Sequence, residues 1–326
     1  MFNYKWKMSN GYPESNGLNV FGTFVCGGGS TMGYKLAGYN HLGGVEIDKP
    51  IAEIYKVNHN PKHLYVEDIR DFANRKEFPK ELYDLDILDG SPPCSSFTTA
   101  GLREKAWGKE KKFNEGQTFQ RLDDLFFEYV KLAKRLQPKV IIAENVKGLI
   151  QGNARIYMRA INEALIDAGY SVQLFLLNSA SMGVPQIRER VFFICHRKDL
   201  KFPKLKLGFD ERPIPFSEIS EDAPTGLLTE KYNRYWEIAK QGKAVGKFLT
   251  ICKAKWKYPC HTITSGHIYH PLQKRTLIDK EYIKAGSFPS DFNFLKTDAK
   301  YIIGMSVPPI MIAQISKQIQ IQWLKK

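Results

Sequence analysis

Cys94 lies in the run DGSPPCSSF, braced on its N-terminal side by two prolines and surrounded by Ser, Thr and Gly. A buried cysteine is usually an inert small hydrophobe. This polar setting suits instead a thiol held in one pose for nucleophilic attack. Three other features could do chemistry. Glu144 ends the apolar run VIIA, and Arg188 and Arg190 alternate within QIRER, onto one face if that segment is a strand. The glycine run in FVCGGGSTMGY is followed at a distance by Glu46. Glycines between a strand and a helix let backbone approach a ligand closely. An acid some 20 residues further on can accept hydrogen bonds from ribose hydroxyls. Together these point to an adenosine-containing cofactor, leaving NAD, a nucleotide and S-adenosylmethionine open.

The elements that must position these residues are legible as alternating patterns. Residues 20–26, 41–47, 84–89 and 140–143, then YSVQLFLL and VFFIC, read as strands, the fourth stopping at Glu144 and Asn145. Residues 49–57 and 155–168 read as helices, the second closed by Gly169. Leu125, Phe126, Tyr129, Ala133 and Leu136 recur at helical spacing up to Pro138. Strand and helix alternate to about residue 196, which predicts an α/β fold with a parallel, doubly wound sheet. Ligands of such a sheet bind beyond the carboxyl ends of its strands, where the glycine loop, Cys94 and Glu144 all fall. Residues 197–275 are rich in Lys, Pro, Gly and aromatics with weak periodicity, and 307–322 returns to an apolar helical pattern. The expected division is a catalytic domain of residues 1–196 and 300–326, and a smaller, irregular domain of residues 197–299.

With 48 Lys and Arg against 34 Asp and Glu, the net charge is +14, which favours a polyanionic partner. Five scattered cysteines without a CxxC pair argue for a reducing compartment. Cys252, Cys260, His261, His267 and His270 fit no standard zinc spacing, so no metal is expected. The N-terminal stretch lacks the apolar region of a signal peptide, and no apolar run reaches membrane-spanning length. A soluble, cytoplasmic monomer is the expectation.

The runs FVCGGG, VEID, EDI, DGSPPC, ENV, PQIRERVFFI and IGMSVPP occur in that order. The chain thereby closely resembles the DNA (cytosine-5) methyltransferase family, from about residue 20 to 322 apart from 197–275. The resemblance implies a Rossmann-like, S-adenosylmethionine-dependent sheet with a small target-recognition domain. It implies a substrate of duplex DNA, one cytosine of which must leave the stack to be reached. Cys94 would attack carbon 6, Glu144 would hold the exocyclic amine and ring nitrogen 3, and Arg190, with Arg188 beside it, would anchor the oxygen on carbon 2. Phe24, Gly27, Gly28 and Gly29 match the cofactor loop, Glu46 the ribose acid with Ile47 by the adenine, and Asp68 the acceptor of the adenine amine. Ile69, Pro93 and Ser306 would complete the pocket.

Two departures stand out: Cys26 replaces the usual first glycine of the loop, and Met305 the usual Asn before Ser306. Both predict altered cofactor contacts with the transfer chemistry intact. The stretch 95–118 reads as a basic flap, with Lys109, Lys111 and Lys112 toward phosphates. In the small domain, lysines interleaved with Trp256 and Tyr258 suit phosphate contact plus stacking. An enzyme of the prokaryotic or phage type is implied, from a restriction–modification system, a prophage or another mobile element, with any cognate endonuclease acting independently. A tRNA cytosine-5 methyltransferase on the same scaffold is the alternative. A nicotinamide-dependent oxidoreductase would explain only the glycine loop and Glu46, and a catalytically silent DNA-binding protein would leave Cys94, Glu144 and Arg190 without a role.

Overall fold

The computed structural model of the chain describes residues 2–93, 124–152, 154–226, 228–243, 245, 251–264 and 266–325. Cys94 and the basic stretch 95–118 lie outside the described residues. Among the described residues no helix is long and apolar enough to cross a membrane.

The chain divides into two compact units. The larger comprises Pro13–Leu177, Glu189–Lys206 and Ser316–Lys326. Its strands are β1 (Asn19–Thr23), β2 (Asn40–Val45), β3 (His63–Tyr65), β4 (Ile87–Gly90), β5 (Val140–Val146), β6 (Tyr170–Asn178) and β7 (Glu189–Arg197). They form one sheet in the order β3-β2-β1-β4-β5-β7-β6. The connecting helices are α1 (Gly29–Leu36), α2 (Lys49–His59), α3 (Ile69–Ala73), α4 (Leu125–Leu136) and α5 (Ala154–Asp167). The expected helical spacing of α4 buries Leu125, Phe126, Tyr129, Ala133 and Leu136 in a core with Phe21, Leu88, Ile141 and Phe193 of the strands. The Tyr129 hydroxyl, fully buried there, donates to the carbonyls of Leu88 at 2.8 Å and Ile142 at 3.1 Å.

The sheet is α/β and doubly wound as expected, but it is not wholly parallel. β1 pairs in parallel with β2 and β4, β2 with β3, and β4 with β5, whereas β7 runs antiparallel to β5. The physical reason lies in the connection. A parallel neighbour requires a crossover of a dozen or more residues, usually helical. Between β6 and β7 residues 179–188 carry no α-helix, only a single 3-10 turn at Ser179–Ser181.

The smaller unit comprises Met1–Tyr12, Asn178–Arg188 and Leu207–Ile315. It holds α6 (Glu230–Ile238), the parallel pair β8 (Ile251–Lys253) and β9 (His267–Tyr269), α7 (Asp279–Ala285) and α8 (Ala299–Met305). The last helix, α9 (Pro309–Ile319), begins in this unit and ends in the larger one. Its largely apolar interior also encloses an ion pair: Arg275 meets both carboxylate oxygens of fully buried Glu281 at 2.8 Å. The same carboxylate accepts from the backbone of Ile278 and of Glu221, each at 3.0 Å. This division differs from the one expected from texture. The Trp6 indole donates to the Ser287 carbonyl at 2.9 Å, which draws the N-terminus into the smaller unit. The Trp323 indole donates to the Pro203 carbonyl at 2.8 Å, which keeps 197–206 with the sheet.

Candidate active site

Five parallel strands end along one edge of the larger unit, and their ends and the loops that follow them carry most of the residues singled out in the sequence. β1 leads into the glycine loop, where Phe24 (φ 55°) and Cys26 (φ 48°) join Gly28 (φ 86°) in the left-handed region. Such backbone is disfavoured for residues bearing a Cβ and must be held by its surroundings. Part of the hold is Glu46, just after β2: its Oε2 accepts from the Cys26 amide at 2.9 Å and its Oε1 from the Asp48 amide at 3.0 Å. Burial pushes the Glu46 carboxyl up, and these two amides pull it back. Gly27, Gly28 and Gly29 are buried, while Phe24 and Ile47 are half-buried.

Asp68 caps α3, accepting from the Arg70 amide at 2.8 Å. Its other oxygen pairs with the Arg70 guanidinium at 3.0 Å, which also meets Asp124 at 2.5 Å. Ile69 beneath it is buried. Pro93 is half-buried at the end of the described part of its loop. The preceding residue, Pro92, is held through its carbonyl, which accepts from the side-chain amide of Asn145 at 3.2 Å.

Glu144 and Arg190 meet directly, Arg190 Nε donating to Glu144 Oε1 at 2.9 Å. The register explains it. Glu144 lies opposite Phe192 and Val146 opposite Arg190, so the two charged side chains are diagonal neighbours on one face. Both are largely buried, with side chains 12% and 13% exposed. Burial holds the Arg190 guanidinium below its ordinary value, and the Glu144 carboxylate opposes this. Asp89, on β4, is buried nearby and accepts from the Tyr34 hydroxyl at 2.9 Å. Burial pushes its carboxyl up to about 7, with the Glu144 charge adding to the effect.

Arg188 lies outside the strand that carries Arg190. β7 starts only at Glu189, so the alternation expected across QIRER is broken before Arg188. In the smaller unit Arg188 donates to the carbonyls of Gly304 at 2.9 Å and Ile263 at 3.4 Å. Ser306 follows α8 and returns its hydroxyl to the Ile302 carbonyl at 2.8 Å, while Met305 beside it is half exposed.

The family model for C-5 cytosine-specific DNA methylases matches residues 18–250. The chain belongs to the C-5 cytosine-specific DNA methylase family. It is 30% identical to the Type II methyltransferase M.Sau96I of Staphylococcus aureus, over 97% of this chain and 80% of that protein. It is 33% identical to M.NgoMIV of Neisseria gonorrhoeae, over 92% of this chain and 96% of that one. Among solved structures, a DNA modification methyltransferase encoded within an E. coli prophage superposes with a TM-score of 0.72 at 19% identity, covering 94% of this chain and 100% of the other. Dnmt2 of Spodoptera frugiperda gives 0.68 at 20% identity, covering 93% and 99%. At these identities the two structures share the fold with this chain.

For this methylase the expected site thus separates into parts. The structure brings Glu144 to Arg190 and Glu46 to the glycine loop, and it sets Arg188 and Ser306 on backbone carbonyls. Cys94 lies outside the described residues. Two residues that sequence reasoning passed over belong to the same edge. Asn145 is signalled by its place inside the ENV run, and Asp89 by its place at the end of a strand, just ahead of the prolines that precede Cys94.

Proposed function

We propose that this methylase transfers a methyl group from S-adenosylmethionine to carbon 5 of a cytosine flipped out of duplex DNA, through a covalent adduct with Cys94. The observation that carries the reading is the buried Glu144–Arg190 pair, on a strand whose Asn145 also anchors the prolines preceding Cys94.

The cofactor loop has the features an adenosine-bearing group needs. Gly27, Gly28 and Gly29 offer backbone without side chains, and Glu46 is a buried acid at the end of β2. Each Glu46 oxygen holds one amide and retains acceptor capacity for a ribose hydroxyl. Asp68, with Ile69 under it, would take the adenine amine, and Phe24, Ile47, Pro93 and Ser306 would complete the walls. When bound, S-adenosylmethionine supplies an electrophilic methyl group on a sulfonium.

Cys94, as thiolate, adds to carbon 6 of the base and makes carbon 5 nucleophilic. The exocyclic amine donates to one Glu144 oxygen, and a proton shared between the other oxygen and ring nitrogen 3 gives the charge developing on the ring a fixed partner. Arg190, already oriented by Glu144, faces the oxygen on carbon 2. Once carbon 5 carries the methyl group, water takes its proton, and the freed electron pair restores the 5,6 double bond as the carbon–sulfur bond breaks and returns the thiolate. Arg188 ties the backbone around Ile263 and Gly304. Lysines 109, 111 and 112, and Lys255 with Trp256 and Tyr258, would meet phosphates and bases, consistent with the net charge of +14.

Expression in a methylation-free host, followed by bisulfite sequencing of the plasmid, tests activity and reveals the site together. Methyl-labelled cofactor offered duplex DNA and transfer RNA separates the substrates, and label in tRNA alone would move the chain to that substrate. Full transfer by Cys94→Ser would refute the covalent step.

A further inference from the structure

We propose that His59 is a positioning residue for the cofactor loop, its ring N–H holding the Gly27 carbonyl in the shape that receives the cofactor. The proposal rests on the reading of residues 24–29 as the S-adenosylmethionine seat. His59 is the last residue of α2 and is buried. Its Nε2 lies 3.0 Å from the Gly27 carbonyl oxygen. β1 has ended four residues earlier, at Thr23, so that carbonyl is beyond the reach of the sheet ladder. A buried carbonyl left without a donor costs roughly 1–3 kcal/mol.

The fit is mutual. Gly28 has φ 86°, and a Cβ there would stand 2.0 Å from His59 Nε2. The glycine therefore meets two demands at once, a left-handed backbone and room for the ring. On the other side, Lys35 of α1 donates its ammonium to the His59 carbonyl at 3.1 Å. The end of α2 is thus tied both to the loop before α1 and to α1 itself. Burial holds the His59 ring well below its ordinary value, to about 3, so the imidazole is neutral at working pH. A neutral ring has one N–H, and a carbonyl partner at Nε2 assigns it there. Loop order set in advance lowers the entropic cost of ligand capture.

The test is calorimetric titration of S-adenosylmethionine into the full chain, with melting temperatures recorded alongside. His59→Phe keeps the bulk and removes the donor. It should weaken binding about tenfold, the value of one hydrogen bond in a preorganised site, and raise KM for the cofactor more than it lowers kcat. His59→Gln, which retains an N–H, should recover most of the loss. Gly28→Ala approaches from the opposite side and should weaken binding likewise, which keeps the proposal testable should the Phe variant not fold. Wild-type binding with an unchanged dissociation constant in a folded His59→Phe or Gly28→Ala variant would overturn the role of His59. Absence of wild-type binding would instead overturn the cofactor reading on which it rests.

Discussion

Arg190 donates its Nε to Glu144 Oε1 at 2.9 Å across the antiparallel β5–β7 ladder, and the two form a nearly buried ion pair. A buried pair of this kind is weak evidence for stability, because desolvation offsets much of the attraction. Its value lies in orientation. The pair fixes two opposite charges on one strand face before any base arrives.

Removing one partner should be worse than removing both. Arg190→Met leaves a buried carboxylate uncompensated and should cost about 3 kcal/mol of stability. Glu144→Gln combined with Arg190→Met should recover part of that stability. Methyl transfer should fall about 100-fold or more in each single variant and in the double one, as for lost electrostatic stabilisation elsewhere. Denaturant titration and labelled-methyl transfer, measured on all four proteins, separate the two effects. Equal stability of the single and double variants would contradict the pairing.

Arg188→Met tests the different role assigned to the other arginine. It strands the carbonyls of Ile263 and Gly304, so a loss of about 2 kcal/mol is expected, confined to the smaller unit. Amide hydrogen exchange should rise around residues 263 and 304 and stay unchanged in β5. Loosening in β5 instead would contradict a role confined to the smaller unit.

Cys26 stands at φ 48°, where the family usually has glycine. Left-handed backbone costs a Cβ-bearing residue about 1 kcal/mol or more. Cys26→Gly should therefore stabilise the protein by roughly 0.5–1 kcal/mol once the larger unfolded-state entropy of glycine is counted. The departure from the family is then a strained one, tolerated because the Cys26 amide is held by Glu46 at 2.9 Å. Thermal melting decides the sign, and a destabilised variant would show that the thiol side chain contributes packing that outweighs the strain.

Residue order and periodicity made most of the sheet, and the motif-bearing loops on its edge, readable in advance, because each strand and helix announces itself locally. What stayed hidden depends on register and long-range partners. Arg188 and Arg190 look equivalent in QIRER, and only the start of β7 at Glu189 separates them. His59 lies two residues past the helix read over 49–57, and only the fold sets its ring against the Gly27 carbonyl. The smaller unit resisted reading because its elements are short, and because Arg275 and Glu281 are buried although their charges imitate a surface. Cys94 remains a sequence-based assignment.

Asp89 offers a pH test with a definite sign. Burial first, and the Glu144 charge after it, push its carboxyl from 3.8 to about 7 in the folded chain. The folded state therefore holds this proton more tightly than the unfolded state does. Below about pH 4 the group is neutral in both states and carries no penalty. As pH rises from there to about 7, stability should fall, by about 1.4 kcal/mol per pH unit at most and about 4 kcal/mol in all. Above that the penalty stays constant. Asp89→Asn keeps an oxygen for the Tyr34 hydroxyl and removes the charge. Its stability should match the wild type at pH 4 and exceed it increasingly up to pH 7–8. The difference between the two denaturation curves isolates this one group from the other carboxylates. Parallel curves across the range would mean that Asp89 ionises as freely in the folded chain as in the unfolded one, and that its burial beside Glu144 carries no charge penalty.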